Sequence, residues 1–233
     1  MSPLVSVIVP IYNAAPFLRE TLDSIIASTY RPIEIVMVDD GSKDNSLSIA
    51  QKYCANHAEC TVIAQANQGV SVARNNAIRH AKGMYILPVD ADDKIADTFI
   101  QKAVEAIKDN PNIRAVGCRC WMFGTINKEW KLPEFSHALL ARKNMIPATA
   151  LYRKADWERC RGYCEEEIYR EDWDFWLSIM ELGGTFYKLD EILFYYRISA
   201  NSRRSLAKGK KKRIVDAINR RHPAYMQKYL GGP

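Results

Sequence analysis

No stretch of the chain holds the ~18 to 20 consecutive apolar residues that a membrane-spanning helix needs, so no segment reads as one. The opening Met1-Ser2-Pro3 runs straight into a strand pattern with neither a basic flank nor a cleavage site, so the chain is expected to be made and kept in the cytoplasm. Cysteine is sparse. Of the six, Cys118 and Cys120 have strand spacing, Cys160 and Cys164 lie four apart, and no histidine is near enough to complete a familiar zinc pattern. Free, mostly buried thiols in a reducing compartment are expected. There is no linker, internal repeat or low-complexity tract ahead of a basic run near the C-terminus, and nothing argues for a second independent domain.

What is present is globular: 48% hydrophobic and 26% charged over 233 residues, enough to bury a sizeable core. The pattern alternates strand and helix. Leu4 to Val9, Glu34 to Val38, Thr61 to Ala64 and Tyr85 to Val89 read as strands, separated by helices over Pro16 to Ser28, Ser46 to Ala55 and Val70 to Lys82. Asp44 is placed to cap the second helix and Gly83 to end the third. Such β-α alternation requires parallel strands with right-handed crossovers, giving an α/β, Rossmann-like nucleotide-binding half. Beyond it the rhythm breaks. A helix over Ala96 to Lys108 and a strand over Ile113 to Cys118 are followed by an exposed hairpin over Trp121 to Trp130. Then come a strand over Ala148 to Tyr152, a helix over Trp173 to Leu182, and two short strands at Thr185 to Leu189 and Ile192 to Arg197.

Two acidic rows close two of the parallel strands. Asp39-Asp40-Gly41-Ser42 ends one apolar run and Asp90-Ala91-Asp92-Asp93 another, so both should emerge at the carboxyl edge of one sheet, where open α/β sheets bind ligands. Carboxylates one residue apart suit a hard divalent cation. A metal with a phosphorylated ligand is the expected occupant.

The segments Val5 to Asn13 (VSVIVPIYN), Glu34 to Ser46 (EIVMVDDGSKDNS), Asn67 to Ile86 (NQGVSVARNNAIRHAKGMYI), Val89 to Asp93 (VDADD) and Arg170 to Trp176 (REDWDFW) together resemble family 2 glycosyltransferases with the GT-A fold. The likeness runs to about Ser205. It implies one GT-A domain over 1–205, with a nucleotide-sugar half at 1–93 and an acceptor half at 94–205, followed by a basic amphipathic tail at 206–233. It also implies an inverting, metal-dependent transfer, using Mn²⁺ or Mg²⁺, of a hexosyl or N-acetylhexosaminyl group. The donor is a nucleotide diphosphate sugar, with UDP the first expectation. The acceptor is a glycan or lipid-linked glycan in cell-surface polysaccharide synthesis.

Residue by residue, the likeness places Pro10 and Tyr12 on the nucleobase and Asp40 as the acceptor of a base or ribose hydrogen bond, supported by Asp39. Asp90 lies nearer the ribose, Asp92 or Asp93 on the metal, Arg74 toward the donor, and Asp172 as general base with Glu171 beside it. The chemistry agrees, because glycosyl transfer requires a cation on the leaving diphosphate and a base for the acceptor hydroxyl. Plainer readings stand beside these. Asp39 to Ser42 is also good turn sequence, Arg74 also suits a helix surface, Asp93 also suits a cap, and Glu171, Asp172 and Asp174 also complement a helix dipole. One departure is visible: relatives commonly carry Tyr-Arg-x-His after the last strand, where this chain has Tyr196-Arg197-Ile198-Ser199. Either water, Arg197, Arg203 or Arg204 then covers the diphosphate, or the metal is bound more weakly and the enzyme is slower.

Two rivals remain. A sugar nucleotidyltransferase would carry a glycine-rich basic loop after the first strand, where this chain has Pro10-Ile11-Tyr12-Asn13. An inactive carbohydrate-binding or scaffold protein would tolerate loss of Asp92 and Asp172, and both are present. The formal net charge of +6 is concentrated in Arg203, Arg204, Lys208, Lys210, Lys211, Lys212 and Arg213. These lead into apolar positions Ile214, Val215, Ile218, Tyr225, Met226 and Tyr229, broken near Pro223. The run reads either as a solvated face or as a peripheral contact with anionic lipid at the inner face of the membrane. Nucleic acid is not expected, because no reading motif accompanies the charge. Donor sugar, linkage and oligomeric state are not encoded in any motif.

Overall fold

The computed structural model describes residues 2–166, 170–199 and 209–232. Its centre is the strand Val5–Ile11 (β1), buried at every position between the parallel strands Ile33–Asp40 (β2) and Tyr85–Pro88 (β4), with Cys60–Gln65 (β3) outside β2. Helices Leu18–Ile26 (α1), Ser46–Cys54 (α2) and Val70–His80 (α3) make the crossovers. A strand covered on both faces can be apolar throughout, which is why β1 lacks alternation. Along β2 the pleat sends alternate side chains to opposite faces. Ile35 and Met37 join a core with Leu22, Ile25 and Phe99, whereas Val36 and Val38 join one with Ala77, Trp173 and Trp176.

The second half adds Lys94–Ile95 (β5), Phe99–Ile107 (α4), Ile113–Gly124 (β6), Lys128–Trp130 (β7), His137–Arg142 (α5), Leu151–Arg153 (β8), Lys154–Arg159 (α6), Glu171–Glu181 (α7) and Thr185–Ile198 (β9). The sheet order is β3-β2-β1-β4-β8-β6-β9-β5, with β7 on β6; β8 runs antiparallel between β4 and β6. The hairpin expected over Trp121 to Trp130 is present as the end of β6 paired with β7. The two short strands expected near the end are one long strand. Cys118 pairs with Leu189 and Arg119 with Ile192, so Asp190 and Glu191 bulge out of the ladder and interrupt the apolar pattern without ending the strand. Helices α5 and α6 and the short β5 have too few residues to show a period in the sequence.

The C-terminal stretch forms two helices, Lys211–Arg221 (α8) and Pro223–Leu230 (α9), with Pro223 at the first turn of the second, where a fixed φ is favourable. Ile214, Ile218, Tyr225 and Met226 are buried in the same core as Trp176. Their anchor is polar. Asp174, fully buried on α7, accepts from Arg221 Nε at 2.6 Å and lies 3.0 Å from His222 Nε2, while His222 Nδ1 faces Glu181 at 3.1 Å. Asp174 is therefore committed to α8 and α9, not left to complement its own helix terminus.

Candidate active site

β2 and β4 flank β1, so the two acidic rows stand on either side of the loop that β1 feeds. That loop is stitched to the first row: Asn13 N donates to Ser42 Oγ at 3.0 Å, Lys43 N to Asn13 Oδ1 at 2.8 Å and Ala15 N to Asp44 Oδ2 at 3.0 Å. Asp44 also accepts from Ser46 N at 3.0 Å, serving the first turn of α2. Pro10 is buried in register with Val38, and Tyr12 beyond it is 51% exposed. A large aromatic ring is thus held open at the sheet edge.

Asp39 and Asp40 are both buried but project to opposite faces. Asp40 holds the turn into α3, accepting from Gln68 N, Gly69 N and Gln65 Nε2, each at 2.8 Å. Gly69 has φ +92°, and Gly41, at φ +72°, would bring a Cβ within 2.9 Å of Asn67 N, so both positions suit glycine. Asp39 Oδ2 accepts from Ser42 N at 3.0 Å, while its Oδ1 is buried with no hydrogen-bond partner. An unpartnered buried carboxylate oxygen is costly unless something donates to it.

Arg74, on the sheet side of α3, is 2% exposed. Its Nη2 lies 2.6 Å from Asp90 Oδ1 and its Nη1 3.0 Å from Glu171 Oε1, so it brackets the second acidic row and the start of α7. Burial works against this charge, but the two carboxylates outweigh it and hold the guanidinium firmly protonated. Arg74 is not a surface residue.

Within the second row the carboxylates differ. Asp93 is 1% exposed and its Oδ1 accepts from Arg197 N at 2.7 Å, fixing the row to β9. Asp92 is half-buried, and burial pushes its carboxyl up to about 6, with the Asp90 charge adding to the shift. Arg197 is engaged elsewhere: Nε donates to Asp92 O at 2.8 Å, Nη2 pairs with Glu20, and the guanidinium lies between the Phe17 and Phe123 rings. Arg203 and Arg204 lie outside the described residues. No three His, Cys, Asp or Glu side chains among the described residues assemble as a metal cage. A cation here would take one or two carboxylates, Asp92 first, and complete its shell with phosphate oxygen and water, the usual arrangement for Mg²⁺ on a phosphorylated substrate.

Asp172 lies in the first turn of α7, half-buried. Asn144 Nδ2 donates to its Oδ2 at 2.6 Å, Trp173 N donates to its Oδ1 at 2.9 Å, and Trp173 Nε1 fastens the turn to Leu140 O at 2.7 Å. Burial first, and then the Glu171 charge, raise its carboxyl to about 6. Asn144 belongs to no motif and lies on the loop after α5, so no sequence signal points to its part. Asp90, Arg74, Glu171, Asp172, Trp130 and Tyr196 all line one open cavity of about 680 Å³.

A family model, "Glycosyl transferase family 2", matches residues 6–174. EpsJ of Bacillus subtilis, an uncharacterized glycosyltransferase, is 35% identical over 218 residues, covering 87% of this chain and 63% of EpsJ. S. aureus TarS in complex with UDP-GlcNAc superposes with a TM-score of 0.80 at 23% identity, over 96% of this chain and 66% of that one. The mannosyltransferase PcManGT of Pyrobaculum calidifontis, in complex with GDP-Man and Mn²⁺, gives 0.74 at 22% identity, over 99% of this chain and 69% of that one. The chain spans less than two thirds of EpsJ, and its fold is GT-A. It belongs to glycosyl transferase family 2.

Proposed function

We propose that this chain transfers a sugar, with inversion, from a nucleotide diphosphate sugar to a hydroxyl of a glycan or lipid-linked glycan, with Asp172 as general base. The observation that carries this is that Asp172, oriented by Asn144, lines the same cavity as Asp90, with Arg74 bridging Asp90 to the neighbouring Glu171. Tyr12 offers its ring to the base. Asp39 Oδ1, the carboxylate oxygen lacking a donor, is better placed than Asp40 to accept a base N–H, since Asp40 is spent on the turn into α3. Of Asp92 and Asp93, the half-buried Asp92 is the metal ligand and Asp93 the anchor to β9. A divalent cation supplies positive charge to the departing diphosphate. Asp172 receives the acceptor proton from the side away from that diphosphate, which produces inversion. UDP is the first choice of nucleotide, supported by the TarS complex, and Mn²⁺ is supported by the PcManGT complex.

No helix among the described residues is long and apolar enough to cross a membrane. The apolar positions Ile214 and Ile218 of α8 face the core, leaving the exposed Lys211, Lys212 and Arg213 to make any lipid contact by charge. Calorimetric titration of UDP and GDP with Mn²⁺, and again after EDTA, tests the donor reading. Affinity should fall without metal and in Asp92→Ala but persist in Asp93→Asn; equal affinity in all conditions removes the metal.

A further inference from the structure

Four cations line the same cavity as Asp172. Arg142 ends α5, Lys143 follows it, Arg170 precedes α7 and Lys211 opens α8; all four line the cavity, and none makes a side-chain hydrogen bond or ion pair among the described residues. The acids of the same cavity are mostly committed. Asp90 and Glu171 hold Arg74, Asp93 holds Arg197 N, Asp172 holds Asn144, and Glu165 is held by Asn75 at 2.9 Å and Arg79 at 3.1 Å. Glu166 acts on Arg221 through its charge.

Two of these cations lie beside the base or its partner in the chain, and the other two line the same cavity. Lys143 is adjacent to Asn144, the partner of Asp172, and Arg170 is two residues ahead of Asp172, its charge opposing the upward shift of that carboxyl. Groups that surround the base face the acceptor, because the base acts from the side opposite the leaving diphosphate. On the reading above, we propose that the acceptor carries a phosphate group close to the attacked hydroxyl, and that Arg142, Lys143, Arg170 and Lys211 bind it. Guanidinium and ammonium groups that hydrogen-bond to no carboxylate are well suited to phosphate oxygen. This would make α8 part of substrate recognition, since Lys211 comes from the same helix that buries Ile214 and Ile218.

The test measures binding to enzyme saturated with UDP and Mn²⁺, so that the donor site is closed to competing phosphate. Three probes are compared: N-acetylglucosamine linked through a diphosphate to a short prenyl chain, a soluble glycerol phosphate oligomer, and methyl N-acetylglucosaminide, which has no charge. Either phosphate probe should bind at least about 10-fold more tightly than the uncharged one, and R142Q/K143Q/R170Q/K211Q should weaken it about 10- to 100-fold, the usual worth of charge-assisted hydrogen bonds. Preference for the prenyl probe assigns a lipid carrier; preference for the oligomer assigns a phosphodiester polymer. The proposal is overturned if the uncharged probe binds as well, or if the fourfold variant binds phosphate as wild type does. A wild-type chain that binds no nucleoside diphosphate strikes the glycosyl-transfer reading instead, and the phosphate preference is then scored on the free protein.

Discussion

Arg74 Nη2 stands 2.6 Å from Asp90 Oδ1, and the same guanidinium reaches Glu171 at 3.0 Å, so one buried cation ties the acidic row after β4 to the helix that presents Asp172. Removing one partner of a buried ion pair leaves charge without compensation, at a cost of about 3 to 5 kcal/mol. Arg74→Leu should therefore lower unfolding free energy by that order, and Arg74→Lys by less, since an ammonium keeps the charge but lacks the planar fork. Urea denaturation checks both. A leucine variant within about 1 kcal/mol of wild type would show that the bracket does not hold the site together.

The two acids after β2 should separate cleanly. Asp40→Asn removes an acceptor from the Gln68 and Gly69 N–H groups and should cost about 1 to 3 kcal/mol of stability. Asp39→Asn should leave stability nearly unchanged or improve it, since Oδ1 has no partner, while weakening UDP binding. Thermal melts and UDP titrations on both variants give the answer; the reverse pattern would return the nucleotide role to Asp40.

The hydrogen bonding of these two acids shows where the sequence is legible. Alternation and β-α rhythm place Asp39, Asp40 and Asp90 at one sheet edge, because those signals are local. Which of two adjacent acids faces a turn donor depends on the Gln68 and Gly69 backbone, nearly thirty residues on, and no local pattern reports it. Arg74 looks like a surface residue for the same reason, its partners Asp90 and Glu171 being distant in sequence. Asn144 and the bulge at Asp190 and Glu191 are likewise set by tertiary contacts, and the burial of Ile214 and Ile218 is decided by α7, not by their own helix.

The His222 clamp should be sensitive to pH. Burial disfavours the imidazolium, but its hydrogen bonds to Asp174 and Glu181 outweigh that and raise its pKa; Asp174 is held low by His222 and Arg221 despite its burial. A raised histidine gives stability that is complete below about 6.5 and lost as pH rises through the folded value, whereas a lowered aspartate gives stability lost as pH falls through its own. His222→Gln should thus cost about 2 kcal/mol near pH 5.5 and progressively less at alkaline pH. Melting curves across that range test it, and a gap independent of pH would mean that the imidazole is neutral.

The acid limb of the activity profile should report Asp172. Its carboxyl is protonated below about 6 and unable to accept a proton there, so kcat/KM should rise with pH through that value. Asp92 also titrates near 6, but a bound cation favours its charged form and moves it lower, so the limb that survives saturating Mn²⁺ belongs to the base. Glu171→Gln removes a neighbouring negative charge and should shift that limb to lower pH. A limb that moves with Mn²⁺ concentration and ignores Glu171 would assign it to the metal site.

The most direct measurement is single-turnover transfer by Asp172→Asn alongside its melting temperature and its affinity for UDP with Mn²⁺. A base that deprotonates the acceptor is worth about 10² to 10⁴ in rate, so turnover should fall by that factor while donor affinity and melting temperature stay close to wild type. Near-normal turnover with a lowered melting temperature would contradict the account, leaving Asp172 as an acid that only steadies the start of α7.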